Sequence, residues 1–282
     1  MAIKRRASRG SSPEPGARVP VCVPKQLPRS KWVAAAEMAL ALNPANHPNS
    51  AATAMAVAMG TGSHRERLAV AVGKRWPATG VRLTVGFLDN PPADLRTRIL
   101  LHMNAWSKSA NVLFVEASTD PEVRIARADS PPDDAGYWSY VGTDIRHISR
   151  KKPTMNLEAF TMRTPESEYK RVVRHETGHT LGFPHEHMRR QLVARIDRAK
   201  AIKSFFESDG WSPAQVEAQV LTPLEESTIL GTTRADQHSI MCYEIPGDIT
   251  KNGKPIIGGV DITPRDFKFA ASLYPKSAAP TP

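Results

Sequence analysis

One eleven-residue stretch constrains this chain more than any other: His175-Glu176-Thr177-Gly178-His179-Thr180-Leu181-Gly182-Phe183-Pro184-His185. Residues four apart share a helix face, so on a helix His175 and His179 aim two imidazoles at one point. Glu176 projects beside that point rather than at it, within reach of a proton on a metal-bound water. A catalytic zinc needs three protein ligands and one open position. Gly182 takes a positive φ at little cost and can end the helix in a sharp turn. Pro184 pushes Phe183 to an extended conformation, which returns His185 towards the ion. Three neutral imidazoles suit zinc, and a redox-inert d¹⁰ ion suits hydrolysis. The spacing therefore predicts one Zn²⁺ on His175, His179 and His185, with Glu176 as general base.

Length and composition set the frame around this motif. At 282 residues the chain fits one large domain or two small ones. Its 40% hydrophobic and 23% charged content is ordinary for a globular protein. No stretch approaches the ~20 apolar residues of a membrane span. The net charge of +10 raises nucleic-acid binding, but the basic residues crowd into residues 1–31. That Pro-rich segment carries +7 and leaves +3 for the rest, which reads as a solvated tail with, at most, an accessory affinity for anionic surfaces. No apolar stretch follows the charged start, so no signal peptide is visible, and the expected location is cytoplasmic or reached by a signal-independent route. Two cysteines, Cys22 and Cys242, exclude a disulfide-built scaffold.

Periodicity divides the chain into a basic tail, short helix and linker over 1–64, a catalytic domain over 65–276 and a tail over 277–282. Val81–Leu88 alternates as a strand. Pro92 opens a helix expected to run to about Ser109, and Val112–Glu116, Val123–Ala126, Trp138–Val141 and Thr154–Leu157 read as further strands. A long helix over about 166–181 carries the metal motif. Mostly helices follow, over about 187–208, 212–220 and 264–273. A mixed half followed by a helical half predicts an α+β fold with the zinc in a cleft between two lobes.

With these residues in place, the chain resembles the metzincin clan of zinc peptidases, whose signature is the extended histidine motif followed by a methionine turn. Ser239-Ile240-Met241-Cys242-Tyr243 is similar to that turn. Within the clan the likeness is to astacin-like peptidases of the type without disulfides, carried by Gly182-Phe183, by His185-Glu186-His187 with Arg189, by Trp138-Ser139-Tyr140-Val141-Gly142 and by the closing stretch from Asp261 to Tyr274. The resemblance implies a twisted mixed sheet with helices in the upper lobe and a mostly helical lower lobe. It implies Met241 as a hydrophobic floor under the zinc and Tyr243 as a fifth, displaceable ligand that stabilises the oxyanion. It also implies a protein or peptide substrate bound as an extended strand on the sheet edge, and a monomeric endopeptidase. Glu186 matches the family's partner of a processed N-terminus, a role not carried over because no processing point is visible ahead of Trp76.

Cys22 allows three readings: a thiolate that fills the open zinc position and keeps the enzyme latent, a free cysteine in an extension, or a disulfide with Cys242. His47, His64, His102, His147, His187 and His238 lack ligand spacing and read as structural or exposed. Two rivals to a peptidase stand beside it. One is a catalytically silent, zinc-bearing binding protein on the same scaffold. The other is nucleic-acid association through the tail.

Overall fold

Strand β1, Val81–Phe87, buries Val81, Leu83 and Val85 while turning Arg82 outward, the alternation of a sheet packed on one face. The computed structural model describes residues 22, 25–48, 72–129, 134–223 and 234–276. Most of the expected tail over 1–31, the alanine-rich run over 51–59, the C-terminal tail and most of the 222–238 loop lie outside the described residues. Five strands form one sheet in the order β2-β1-β3-β5-β4. β2 is Val112–Glu116, β3 Val123–Ala126, β4 Tyr137–Ser139 and β5 Met155–Leu157. β1 pairs in parallel with β2 and β3, and β3 with β5, whereas β4 runs antiparallel to β5 and forms an edge.

Helix α1 spans Trp32–Leu42 and α2 spans Ala93–Met103. α2 stops earlier than the periodicity predicts, and the last turn to Lys108 is 3₁₀. Asn104 is the cause: its amide donates to the Leu100 and Phe114 carbonyls, and its oxygen accepts from the Phe114 N–H, tying the helix end to β2. The long metal-bearing helix forms as Glu166–Glu168, a π-helical turn Tyr169–Val173, and α3, Arg174–Thr180. The helix expected over 187–208 is broken. A 3₁₀ turn Glu186–Met188 and a short helix Arg190–Val193 precede α4, Arg198–Asp209. Asp197 caps α4 by accepting from the Lys200 N–H at 3.1 Å, and Ile196 bridges to Thr250, so the chain must leave helical geometry between them. α5, Pro264–Leu273, carries a capping box between Thr263 and Asp266.

Two separate cores flank α3. One joins the sheet to α2, α3 and α5 through residues such as Leu83, Ile99, Trp106 and Met155. The other lies under α4 and holds Ile196, Phe205, Val216, Cys242 and Ile256. This is the α+β, two-lobed arrangement, with a mixed sheet above and a mostly helical lobe below. No helix among the described residues is long and apolar enough to cross a membrane.

Candidate metal centre

Helix α3 is held by three side chains, two at its end and one at its start. Its last carbonyls have no intrahelical partner. The indole of Trp76 donates to the Thr180 carbonyl at 2.8 Å, and the Tyr274 hydroxyl donates to the Leu181 carbonyl at 2.6 Å. Within the helix, the Trp106 indole donates to the Arg174 carbonyl. The chain then turns at Gly182, whose φ of +92° is the left-handed geometry its sequence position predicts. A Cβ at Gly182 or Gly142 would press on the backbone of Lys74, so the turn after α3 and the loop after β4 pack main chain to main chain.

This turn brings His185 back to His175 and His179. The Nδ1–H of His175 donates to the Ile240 carbonyl at 2.6 Å, and that of His179 donates to the Phe183 carbonyl at 2.7 Å. A carbonyl can only accept, so both Nε2 atoms are left as lone pairs. They converge on the Nε2 edge of His185, at 3.2 Å from His175 and 3.0 Å from His179. Two nitrogens about 2.05 Å from a tetrahedral zinc stand about 3.3 Å apart, so the cluster is close to ligand spacing. All three rings are buried, and the other nitrogen of His185 has no hydrogen-bond partner. A cation among the three satisfies them together. Burial holds His175 down to about 4 and keeps His179 and His185 well below the ordinary histidine range. Neutral imidazoles are what metal ligation requires. Zinc is the cofactor this donor set takes, one ion per chain.

Glu176 is 1% exposed and lies one residue along the helix. Ser139 at the end of β4 donates from its hydroxyl to the carboxylate at 2.7 Å. Burial pushes the Glu176 carboxyl up to about 7, against the hydrogen bonds from Cys22 and Ser139, which favour the charged form.

The methionine turn sits beneath. Met241 is buried against Gly178 of α3, and its carbonyl accepts from the Glu186 N–H at 2.8 Å. Asp266 holds the turn by accepting from the Ser239 hydroxyl at 2.5 Å and the Ile240 N–H at 3.0 Å. Thus the closing helix α5 fixes the carbonyl that in turn orients His175. Tyr243 stands with its ring edge-on to His185, centroids 5.0 Å apart, while its hydroxyl donates to the Gln219 carbonyl at 3.2 Å. Glu186 accepts from the Asp236 N–H at 2.9 Å.

Cys22 is the fourth member of the cluster. Its sulfur and one nitrogen of each of the three histidines all lie within 4.8 Å of one another. Cys242 does not join it: it is a free, buried thiol in the second core, and Cys22 is free as well. The disulfide reading therefore has no support in the geometry. Two residues carry more of the site than their sequence positions announced. His187, set aside for lack of ligand spacing, is fully buried between His185 and Tyr243, with centroids 4.8 and 3.7 Å away. Its place two residues past a ligand was the available signal. Ser139 was legible only as part of the Trp138–Gly142 stretch.

Comparisons with known proteins point the same way. Residues 70–245 match the family model described as Astacin, a peptidase family. A curated relative, zinc metalloproteinase nas-27 of Caenorhabditis elegans, is 32% identical over 203 residues, 71% of this chain and 40% of that protein. The chain thus spans less than half the length of that relative. A solved structure of myroilysin superposes with a TM-score of 0.66 and 28% identity, covering 73% of this chain and 97% of that one. A crystal structure of myroilysin gives 0.55 and 29%, over 72% and 86%.

Proposed function

The chain belongs to the astacin family of peptidases, and on that premise we propose that it is a zinc-dependent endopeptidase. The observation that carries the reading is the convergence of His175, His179 and His185 beside a buried carboxylate, Glu176. The three histidines would hold the ion. When bound, zinc supplies an acidified water and polarises the scissile carbonyl. Glu176 takes the water proton and hands it to the leaving amine. The outer edge of β4 receives the substrate as an added strand. It supports main-chain pairing here, since the Ser139 carbonyl accepts from the Lys25 N–H at 3.0 Å. Tyr243, whose hydroxyl donates to the Gln219 carbonyl, would serve the oxyanion.

The same pairing supports a second element, latency. Lys25 bridges Tyr140 in parallel and donates to the Ser139 carbonyl, so it occupies the edge that a substrate needs. Leu27 packs with Ala35 of α1 and Ile148, and Asn46 beyond α1 donates to the Arg75 carbonyl at 2.9 Å. Cys22, which stands with the three histidines, would then be a fourth ligand that holds the enzyme latent. Burial and the adjacent Glu176 push its thiol up in the absence of metal; a coordinating thiol is deprotonated, which reverses that sign.

The deciding experiment is digestion of a peptide library by the full chain with and without chelator, alongside Glu176→Gln. A metal-dependent cleavage that falls roughly 10²- to 10⁴-fold in the variant, with zinc content unchanged, is expected for loss of the general base. A zinc-loaded chain that cleaves nothing, either as wild type or as Cys22→Ala, would leave the silent binding protein as the better account.

A further inference from the structure

We propose that Ser139 is a positioning residue: its hydroxyl fixes the Glu176 carboxylate from the same residue whose carbonyl pairs with a strand laid on β4. This rests on the reading of Glu176 as the base. Ser139 ends β4, is fully buried, and pairs with Met155 of β5, so its backbone is held on the inner side by the sheet. Its carbonyl faces the outer edge, where it accepts from the Lys25 N–H. Its hydroxyl oxygen lies 2.7 Å from Glu176 Oε2 and 3.1 Å from the Glu176 carbonyl oxygen. The Glu176 carbonyl already accepts from the Thr180 hydroxyl at 3.2 Å, which leaves the single Ser139 proton for the carboxylate.

Among the described residues, the side chains that hydrogen-bond the Glu176 carboxylate are Ser139 and Cys22. When Cys22 and Lys25 leave the site, Ser139 is the partner that stays. A glutamate side chain has three rotatable bonds, and a base must sit within hydrogen-bond reach of its proton. Burial alone restricts the carboxylate without choosing its direction; a donor fixed on a sheet strand chooses it. Pairing of a substrate at the Ser139 carbonyl and alignment of the base thereby share one residue. A slip of the substrate register moves the scissile bond relative to a base that does not move with it.

The test uses the full chain with Cys22→Ala, so that every variant is compared with the thiol removed. Ser139→Ala is expected to lower kcat roughly 10- to 100-fold, as for loss of a hydrogen bond to a charged acceptor, with KM within about twofold. Zinc should remain one per chain. Binding of a peptide hydroxamate, measured by calorimetry, should weaken by a similar factor, because that ligand gives its proton to Glu176 without turnover. Ser139→Thr, which keeps the hydroxyl, should recover most of both. In the Glu176→Gln background, Ser139→Ala should change hydroxamate affinity no further. A kcat within twofold of the parent, or a loss that follows zinc content or KM, overturns the positioning role. Full turnover by Glu176→Gln would instead remove the base assignment beneath it, so the two failures are told apart.

Discussion

Met241 lies directly against Gly178, the residue that precedes the second histidine ligand in α3. A Cβ at Gly178 would run into the Met241 sulfur and stand 3.3 Å from the Trp106 ring. The helix can therefore approach the methionine turn only because this position has no side chain. Close approach matters because the carbonyl of Ile240, next to Met241, orients His175 at 2.6 Å. Gly178→Ala is expected to destabilise the fold by about 1–3 kcal/mol, the usual range for an overpacked core. It should also weaken zinc roughly 10-fold, as loss of an outer support for a ligand does. Urea unfolding and a competition titration with a chromophoric chelator check both. Unchanged zinc affinity would show that the turn can retreat without moving the Ile240 carbonyl.

What the sequence disclosed and what it withheld separate along physical lines. The three histidines and Gly182 were legible because ligand spacing on a helix and a positive-φ turn are local geometry. The strand at Val81–Phe87 was legible from β-branched alternation. The early end of α2 was not, because the Asn104 side chain ties the helix end to the Phe114 backbone, a pairing that no local pattern encodes. The break between Val193 and Arg198 has the same origin, in the Ile196–Thr250 bridge. His187 and Ser139 became visible only when tertiary packing set one against Tyr243 and the other against Glu176. The position of Cys22 depends on α1 docking against Ile148, a contact remote in sequence and silent in any local window.

Cys22 carries the next prediction. If its thiolate closes the zinc site, the full chain is mostly silent, and Cys22→Ala raises peptide hydrolysis. A segment that leaves the site open about 1% of the time lowers apparent activity about 100-fold, so the gain can be that large. Alkylation supplies an independent readout. Cys22 should resist iodoacetamide while zinc is bound and react once a chelator removes it, whereas Cys242, buried in the second core, should stay slow in both conditions. Equal activity of wild type and Cys22→Ala, with zinc-independent labelling of Cys22, would reduce the residue to a packing role.

Acid should weaken the metal-free protein, and the sign follows from burial. His175 and His187 titrate at about 4 and about 3 in the fold, and His179 and His185 lie well below their ordinary value of 6.5. As pH falls through 6.5, the unfolded chain takes up protons at these rings while the folded one does not. Each such histidine therefore loses the fold about 1.4 kcal/mol per pH unit until its own folded value is reached. Glu176 acts in the opposite sense. Its carboxyl is raised from 4.5 to about 7, so the fold gains protons first and is relieved of a buried charge as pH falls over that window. Burial also lowers His102 and His147 and raises Asp144 and Glu186, so among the described residues six histidines oppose three carboxyls, and between pH 6.5 and 5 the histidines prevail. The urea midpoint of chelator-treated protein should drop across that interval, and the zinc-loaded protein should follow it at lower pH, when protonation displaces the metal. A midpoint that holds or rises from pH 6.5 to 5 would mean that these rings are already protonated in the metal-free fold, with the cluster open to water.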